Sequence, residues 1–168
     1  MVAPVIRRLD VEDAADFRAQ RLDALKRHPD VYSASPEDWD IPISDIAERI
    51  MAAHALGAFD PAGRLLGHLV LPTHLPTQMK TRHKIEIWSV YVVPEARGTG
   101  VGRALMEAAI ALARALGYEW VKLRVADHNP AARSLYESLG FVEYGCEEDY
   151  LRLPDGRRIA ERMMHKRL

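Results

Sequence analysis

The stretch Val90-Tyr91-Val92-Val93-Pro94-Glu95-Ala96-Arg97-Gly98-Thr99-Gly100-Val101-Gly102-Arg103-Ala104-Leu105-Met106 decides how this chain is read, because an apolar strand breaks in it through a glycine-rich turn into a helix. Three glycines at alternate positions leave the backbone without side-chain bulk where the first helical amides lack intrachain partners. Those amides point outward, and the helix dipole adds partial positive charge, so the turn predicts a cradle for an anion such as a pyrophosphate.

Three phosphate-binding loops compete for the stretch. A Walker A loop needs Gly-Lys-Ser/Thr, whereas Arg103 and Ala104 follow Gly102 here. A Rossmann fingerprint needs Gly-x-Gly-x-x-Gly, and its third glycine is Arg103 when counted from Gly98 and Leu105 when counted from Gly100. What remains is Arg97-x-x-Gly100-x-Gly102 after a strand ending near Pro94. Downstream, Val121-Lys122-Leu123-Arg124-Val125 alternates like a strand and stops at Asp127-His128-Asn129-Pro130. Asn129 and Pro130 suit the N-cap and first position of a short helix from Ala131 to Leu139, which Gly140 closes.

The two segments together, Arg97-x-x-Gly100-x-Gly102 and Asn129-Pro130-Ala131-Ala132-Arg133-Ser134-Leu135-Tyr136-Glu137-Ser138-Leu139-Gly140-Phe141, resemble the two signatures of the GNAT superfamily of N-acetyltransferases. The resemblance covers residues 60–168 well and the first 60 in outline. It implies an α/β (α+β) GNAT fold, a central mixed and mostly antiparallel sheet flanked by helices. It also implies acetyl-coenzyme A as cosubstrate. In the family two parallel central strands splay and the pantetheine arm lies between them, which assigns the backbone of Val90, Tyr91 and Val92 to that arm and the amides of Gly98, Thr99, Gly100, Val101 and Gly102 to the pyrophosphate. Arg97 and Arg103 flank the loop, either as phosphate-facing cations or as solvated surface residues. Asn129 either bonds the cofactor, caps its helix, or does both.

Acetyl transfer from a thioester needs placement, a neutral amine, a donor for the developing oxyanion and a proton for the departing thiolate. Tyr136 matches the family tyrosine that protonates the thiolate. A phenol of pKa about 10 serves a thiol of pKa about 8.5 when transfer is coupled to departure, so position outweighs acidity. Glu86 lies eleven residues before Arg97, where some members carry a general base. A carboxylate in an apolar strand is costly to bury alone, which a solvent-reached cleft or an ion pair explains about equally well. The need for a base depends on the acceptor: at pH 7.5 roughly a third of an α-amine is neutral but only about 0.1% of a lysine-like amine. His68, His74 and His83 are reserve candidates.

Composition bounds the rest. The 168 residues, 48% hydrophobic and 28% charged, read as one domain, 1–168, with a core that needs no staples. A formal net charge of −1 gives no global reason to expect nucleic acid or membrane as a partner. The single Cys146 leaves no internal disulfide and no cysteine metal cluster, which fits a cytoplasmic location, and neither a signal-like opening nor a membrane-length apolar run is present. Strands are expected at Val5–Leu9, Leu56–Phe59, Leu65–Leu71, Ile85–Val92, Val121–Val125, Phe141–Tyr144 and Tyr150–Leu153, with a last one ending near Lys166. Helices are expected from Asp10 to about Arg27, after a Ser44 cap, and over Val101–Leu116. Ile85–Val92, nearly continuous in apolar character, is expected to be buried on both faces.

Asp30–Pro42 is an aromatic, acidic loop, and Pro72–Lys84 is a second loop. An acceptor between them is expected to be a small-molecule amine or a peptide, with the acidic bias pointing to a cation. A non-catalytic acyl-CoA-binding sensor is the alternative, and the chain is read as a monomer or homodimer.

Overall fold

The computed structural model describes residues 3–73 and 79–168. Seven strands, β1 (Val5–Arg8), β2 (Ala53–Phe59), β3 (Leu65–Pro72), β4 (Lys84–Val92), β5 (Trp120–Ala126), β6 (Val142–Arg152) and β7 (Arg158–Arg167), form one sheet in the order β1-β2-β3-β4-β5-β7-β6. Among the described residues only β4 and β5 run parallel; every other neighbour is antiparallel. Helices α1 (Ala14–Arg27) and α2 (Ile43–Met51) cover one face, and α3 (Val101–Ala115) covers the other. A helix α4 (Pro130–Ser138) packs at the edge of the second layer.

Strand periodicity sorts the core. On β2, Ala55 and Phe59 join Leu9, Phe17, Ile46 and Ile50 under α1 and α2, whereas Leu56 and Ala58 join Leu105, Met106, Ala109 and Ala113 of α3. The β2–β3 turn is built by Asp60, whose Oδ1 accepts from the amides of Ala62 (3.0 Å) and Arg64 (2.9 Å), while Gly63 takes φ +82°. Asn129 caps α4 through its Oδ1 (3.2 Å from the Ala132 amide), with Pro130 next and Gly140 in the left-handed region beyond the end.

Three expectations need correction. The second helix begins at Ile43 with Pro42 in the cap position, and the Ser44 hydroxyl donates to Asp45 Oδ1 at 3.1 Å instead of capping. The two short segments after Phe141 are one strand, β6, carried past its acidic middle by register shifts against β7. The central strand β4 is not buried on both faces. Ile85 and Ile87 are buried under α3, but Glu86 is half-buried and Trp88 is 40% exposed on the opposite face. Apolar content alone cannot separate a twice-buried strand from one whose tryptophan lines a cleft.

β4 also carries a bulge. Ser89 sits at φ 56°, a left-handed conformation costly for a residue with a Cβ, and the pairing with β3 shifts between His68 and Val70. The bulge switches parity: before it the odd residues Ile85 and Ile87 face α3, and after it Val90 and Val92 pack there while Tyr91 reaches α1, its hydroxyl donating to Asp23 Oδ2 at 2.6 Å.

Candidate active site

The parallel pairing of β4 with β5 covers Lys84–Ile87 against Trp120–Leu123 and then ends. β5 continues along β7 to the Ala126–Glu161 pair, so beyond Ile87 the two central strands diverge and their facing edges lose each other. A cleft of about 1600 Å³ opens there. Two of the carbonyls that β4 turns into the gap are met by side chains: Tyr32 Oη donates to Val90 O at 2.8 Å, and Arg97 Nε donates to Val92 O at 3.0 Å.

One end of the cleft is made of backbone. Gly98 (φ +75°) and Gly100 (φ +92°) hold a turn that L side chains rarely adopt, and a Cβ at either would meet nothing within 4 Å, so both face open space. The first helical bond runs from the Ala104 amide to Gly100 O at 3.0 Å, which leaves the amides of Val101, Gly102 and Arg103 ahead of the first closed turn. Thr99 and Val101 contribute no side chain to the cleft, since the Thr99 hydroxyl donates to Ala96 O and Val101 is buried under α3. This geometry fits a diphosphate: outward amides, no side-chain bulk, and a helix N-terminus of fifteen residues behind them. Arg97 and Arg103 are tied to the protein, Arg97 Nη2 to His28 Nε2 (3.0 Å) and Arg103 Nη2 to Ser138 Oγ (2.7 Å).

Tyr136 of α4 and Asn129 line the same cleft. Tyr136 is 5% exposed, packs against Phe141, and its hydroxyl has no hydrogen-bond partner among the described residues. Burial, with a smaller contribution from Tyr32, holds its phenol well above the usual range, so it stays protonated. Asn129 spends its side-chain oxygen on the helix cap.

The other end is made of side chains. Arg124 of β5 faces three carboxylates: Glu86 Oε1 at 3.2 Å, Glu161 Oε2 at 3.4 Å and Glu147 Oε2 at 3.5 Å. Glu147 and Glu161 stand directly opposite each other on β6 and β7, a like-charge pair that sheets avoid. One cation cannot neutralise three anions, and Glu161 is the buried one, 7% exposed. Burial pushes its carboxyl up to about 7; Arg124 opposes the rise and the neighbouring Glu147 and Glu86 add to it. Glu161 is therefore a group that exchanges a proton near neutrality inside the cleft, and sequence reading missed it. The signal available was a carboxylate in the alternating strand Ile159–Met164, but its partners arrive through a bulged register.

Of the histidines, His68 is fully buried and kept neutral down to about pH 3 by burial and by Arg21. Its ring lies 3.1 Å from Gln20 Oε1 and 3.4 Å from Ser89 Oγ, so it braces the bulge from behind the cleft. His83 lines a separate small hollow, and His74 lies outside the described residues. The acidic loop does not present its charge to the cleft as expected. Asp40 pairs with Arg18 and Asp38 accepts from the Ser35 amide; Asp30 alone lines the cleft, 3.1 Å from His128.

Among the described residues the sheet has one parallel pair, which opens beside a glycine turn shaped for a diphosphate. The family model for the acetyltransferase (GNAT) family matches residues 15–141, and the chain belongs to that family. The match begins well upstream of the region where the motifs alone carried the resemblance. The mycothiol acetyltransferase of Gordonia bronchialis is 33% identical, with 92% of this chain and 52% of that protein covered. The chain spans about half the length of the curated relatives it matches. Among solved structures, a GNAT-family acetyltransferase from Streptococcus pneumoniae superposes with a TM-score of 0.86 at 24% identity, covering 98% of this chain and 99% of that one. The phosphinothricin acetyltransferase of Sinorhizobium meliloti in complex with AcCoA gives 0.85 at 21%, covering 99% and 89%. The fold is the GNAT fold. Among the described residues no helix is long and apolar enough to cross a membrane.

Proposed function

We propose that this chain moves an acetyl group from acetyl-CoA, the cosubstrate of its family, to a primary amine by direct attack within a ternary complex. The observation that carries the reading is the junction of three features in one cleft: the opening of β4 from β5 after Ile87, the side-chain-free turn at Gly98–Gly102, and a buried carboxyl that titrates near neutrality.

The residues divide the work. The amides from Gly98 to Arg103 receive the diphosphate, and the edge of β4 from Val90 to Val92 receives the arm. Glu161, held by Arg124 with Glu86 and Glu147, removes a proton from the acceptor ammonium or from the attacking amine as the N–C bond forms. Tyr136 gives its phenolic proton to the sulfur as the C–S bond breaks. The high affinity of its phenolate for a proton then restores it from solvent. Glu86, the base expected from sequence, shares the Arg124 guanidinium at 3.2 Å, and this scheme gives it the orienting of Arg124 and gives the proton transfer to Glu161, whose carboxyl is the one raised toward neutrality.

The test is thiol release from acetyl-CoA across amino acids, polyamines, aminoglycosides and peptides, with Tyr136→Phe in parallel. Turnover of an amine class that slows in the variant supports the reaction. Acetyl-CoA binding with silence across the panel favours a binding module, and preference for ATP over acetyl-CoA removes the reading altogether.

A further inference from the structure

Arg21 of α1 lines the cleft, yet it is 6% exposed. Its Nε and Nη1 are buried without any hydrogen-bond partner among the described residues. Among the described residues no carboxylate pairs with it. Its contacts are aromatic faces, Tyr32 at 4.6 Å and Trp39 at 5.1 Å from the guanidinium carbon. On the same Trp39 ring, at 5.3 Å, lies Arg49 of α2, which has no ion pair among the described residues either.

A guanidinium cannot shed its charge to escape burial, and the aromatic faces return only about 0.5–2 kcal/mol of what desolvation costs. A fold that only needed to fill this space would be at least as stable with an apolar side chain of the same length. The five donors of Arg21 match a planar oxyanion, which the guanidinium fork binds through two parallel hydrogen bonds. Glu86, Glu147 and Glu161, gathered on Arg124, line the same cleft as Arg21 and Arg49, so it holds both a negative group and two further cations.

We propose that Arg21, assisted by Arg49, docks a carboxylate carried by the acceptor, so that the acceptor is a zwitterion of the amino-acid class with its amine directed at Glu161. This rests on the reading of the cleft as an amine acetylation site, and it replaces the acidic loop as the source of charge selection: the ammonium is drawn to the glutamate cluster and the anion to the arginines.

The experiment compares kcat/KM for a panel of L-amino acids, each beside its amide and its decarboxylated amine, in the native chain and in Arg21→Met, Arg21→Lys and Arg49→Ala. Loss of one charge-assisted pair predicts that the free carboxylate is preferred about 10- to 100-fold, and that Arg21→Met abolishes the preference. Arg21→Lys, a point charge without the fork, keeps part of it. Because an unpaired buried charge is removed, Arg21→Met is expected to hold or raise the urea midpoint of the ligand-free protein while it loses the carboxylate-bearing acceptor.

Equal use of amides or decarboxylated amines by the native chain overturns the proposal. So does an Arg21→Met variant that unfolds at lower urea with its preference intact, which makes Arg21 a packing residue. Turnover confined to polyamines removes this inference alone, whereas no turnover of any amine removes the acetylation reading beneath it.

Discussion

The two ends of the cleft are built on different principles. At the glycine end the functional groups are backbone amides, fixed by three glycines and a helix start within six consecutive residues. Elsewhere in the cleft they are side chains from distant segments, Arg124 on β5, Glu147 on β6 and Glu161 on β7, gathered by strand register, and Arg21 on α1, set by helix and loop packing. A backbone-built site depends on conformation and tolerates side-chain changes at its rim. A side-chain-built site depends on individual functional groups, and a single isosteric change reaches it.

Glu161→Gln tests that difference most severely. Loss of a general base costs about 10²–10⁴ in rate, so kcat/KM at pH 7 should fall about 10³-fold while acetyl-CoA affinity holds. The loss should shrink as pH rises and the amine deprotonates by itself. Stability supplies an independent sign. The Glu161 carboxyl titrates near 4.5 unfolded and about 7 folded, so between those values the native state binds more protons. This group therefore makes stability fall as pH rises through that window, and the glutamine variant should lack that fall and be the more stable protein above pH 7. Urea midpoints at pH 5 and pH 8 read it directly; the same pH dependence in both proteins would mean that Glu161 titrates normally and is not the base.

Tyr136→Phe comes next, with kcat expected to drop about 10²-fold and acetyl-CoA affinity to stay within twofold, the pattern of an interaction used only as the thiolate departs. A KM change with kcat intact would instead make Tyr136 a wall of the cleft. Gly100→Val should act in the opposite manner. At φ +92° the side chain strains the turn by about 1–3 kcal/mol and enters the open space in front of the amides, so the acetyl-CoA dissociation constant should rise roughly tenfold or more with little change in kcat at saturation. If Gly100→Val lowered kcat and Glu161→Gln weakened acetyl-CoA instead, the division of the cleft would be wrong.

The same division explains what was legible in the sequence. Glycine spacing, the Asn129-Pro130 cap and the Gly140 stop are local, so the glycine turn, α3 and α4 follow from a few adjacent residues. The Arg124 cluster is not local. Glu147 meets Glu161 only because β6 is continuous and bulged, a register that alternation cannot supply and that the reading of two short strands had cut in half. Trp88 read as part of a strand buried on both faces because apolar content does not reveal a cleft, and the change of parity after it was hidden because the β4 bulge at Ser89 has no sequence signature: a serine in the left-handed region is held by His68 from β3, not by its own preference. Arg21 was hidden for a simpler reason. One arginine on an amphipathic helix reads as surface until the loop carrying Tyr32 and Trp39 closes over it.

Arg97→Ala sharpens the comparison at its weakest point, because a rim cation beside a phosphate site is the change that a charge-based reading would rank high. In the structure the Arg97 guanidinium is already engaged by Val92 O, by His28 Nε2 and over the Tyr91 ring at 5.7 Å. Its remaining influence on a bound diphosphate is Coulombic and screened within about 8–10 Å at ordinary salt. Acetyl-CoA affinity should therefore weaken by no more than about threefold, a cost typical of one exposed charge pair. The clearest consequence lies elsewhere. His28 is held below its usual range by burial first and by the Arg97 charge second, so removing the arginine should raise the His28 pKa, visible in its imidazole proton shifts. A His28 that moves with affinity nearly unchanged would mean that the amides carry the diphosphate; a tenfold or larger loss would move Arg97 into the cradle and make that end of the cleft depend on a side chain after all.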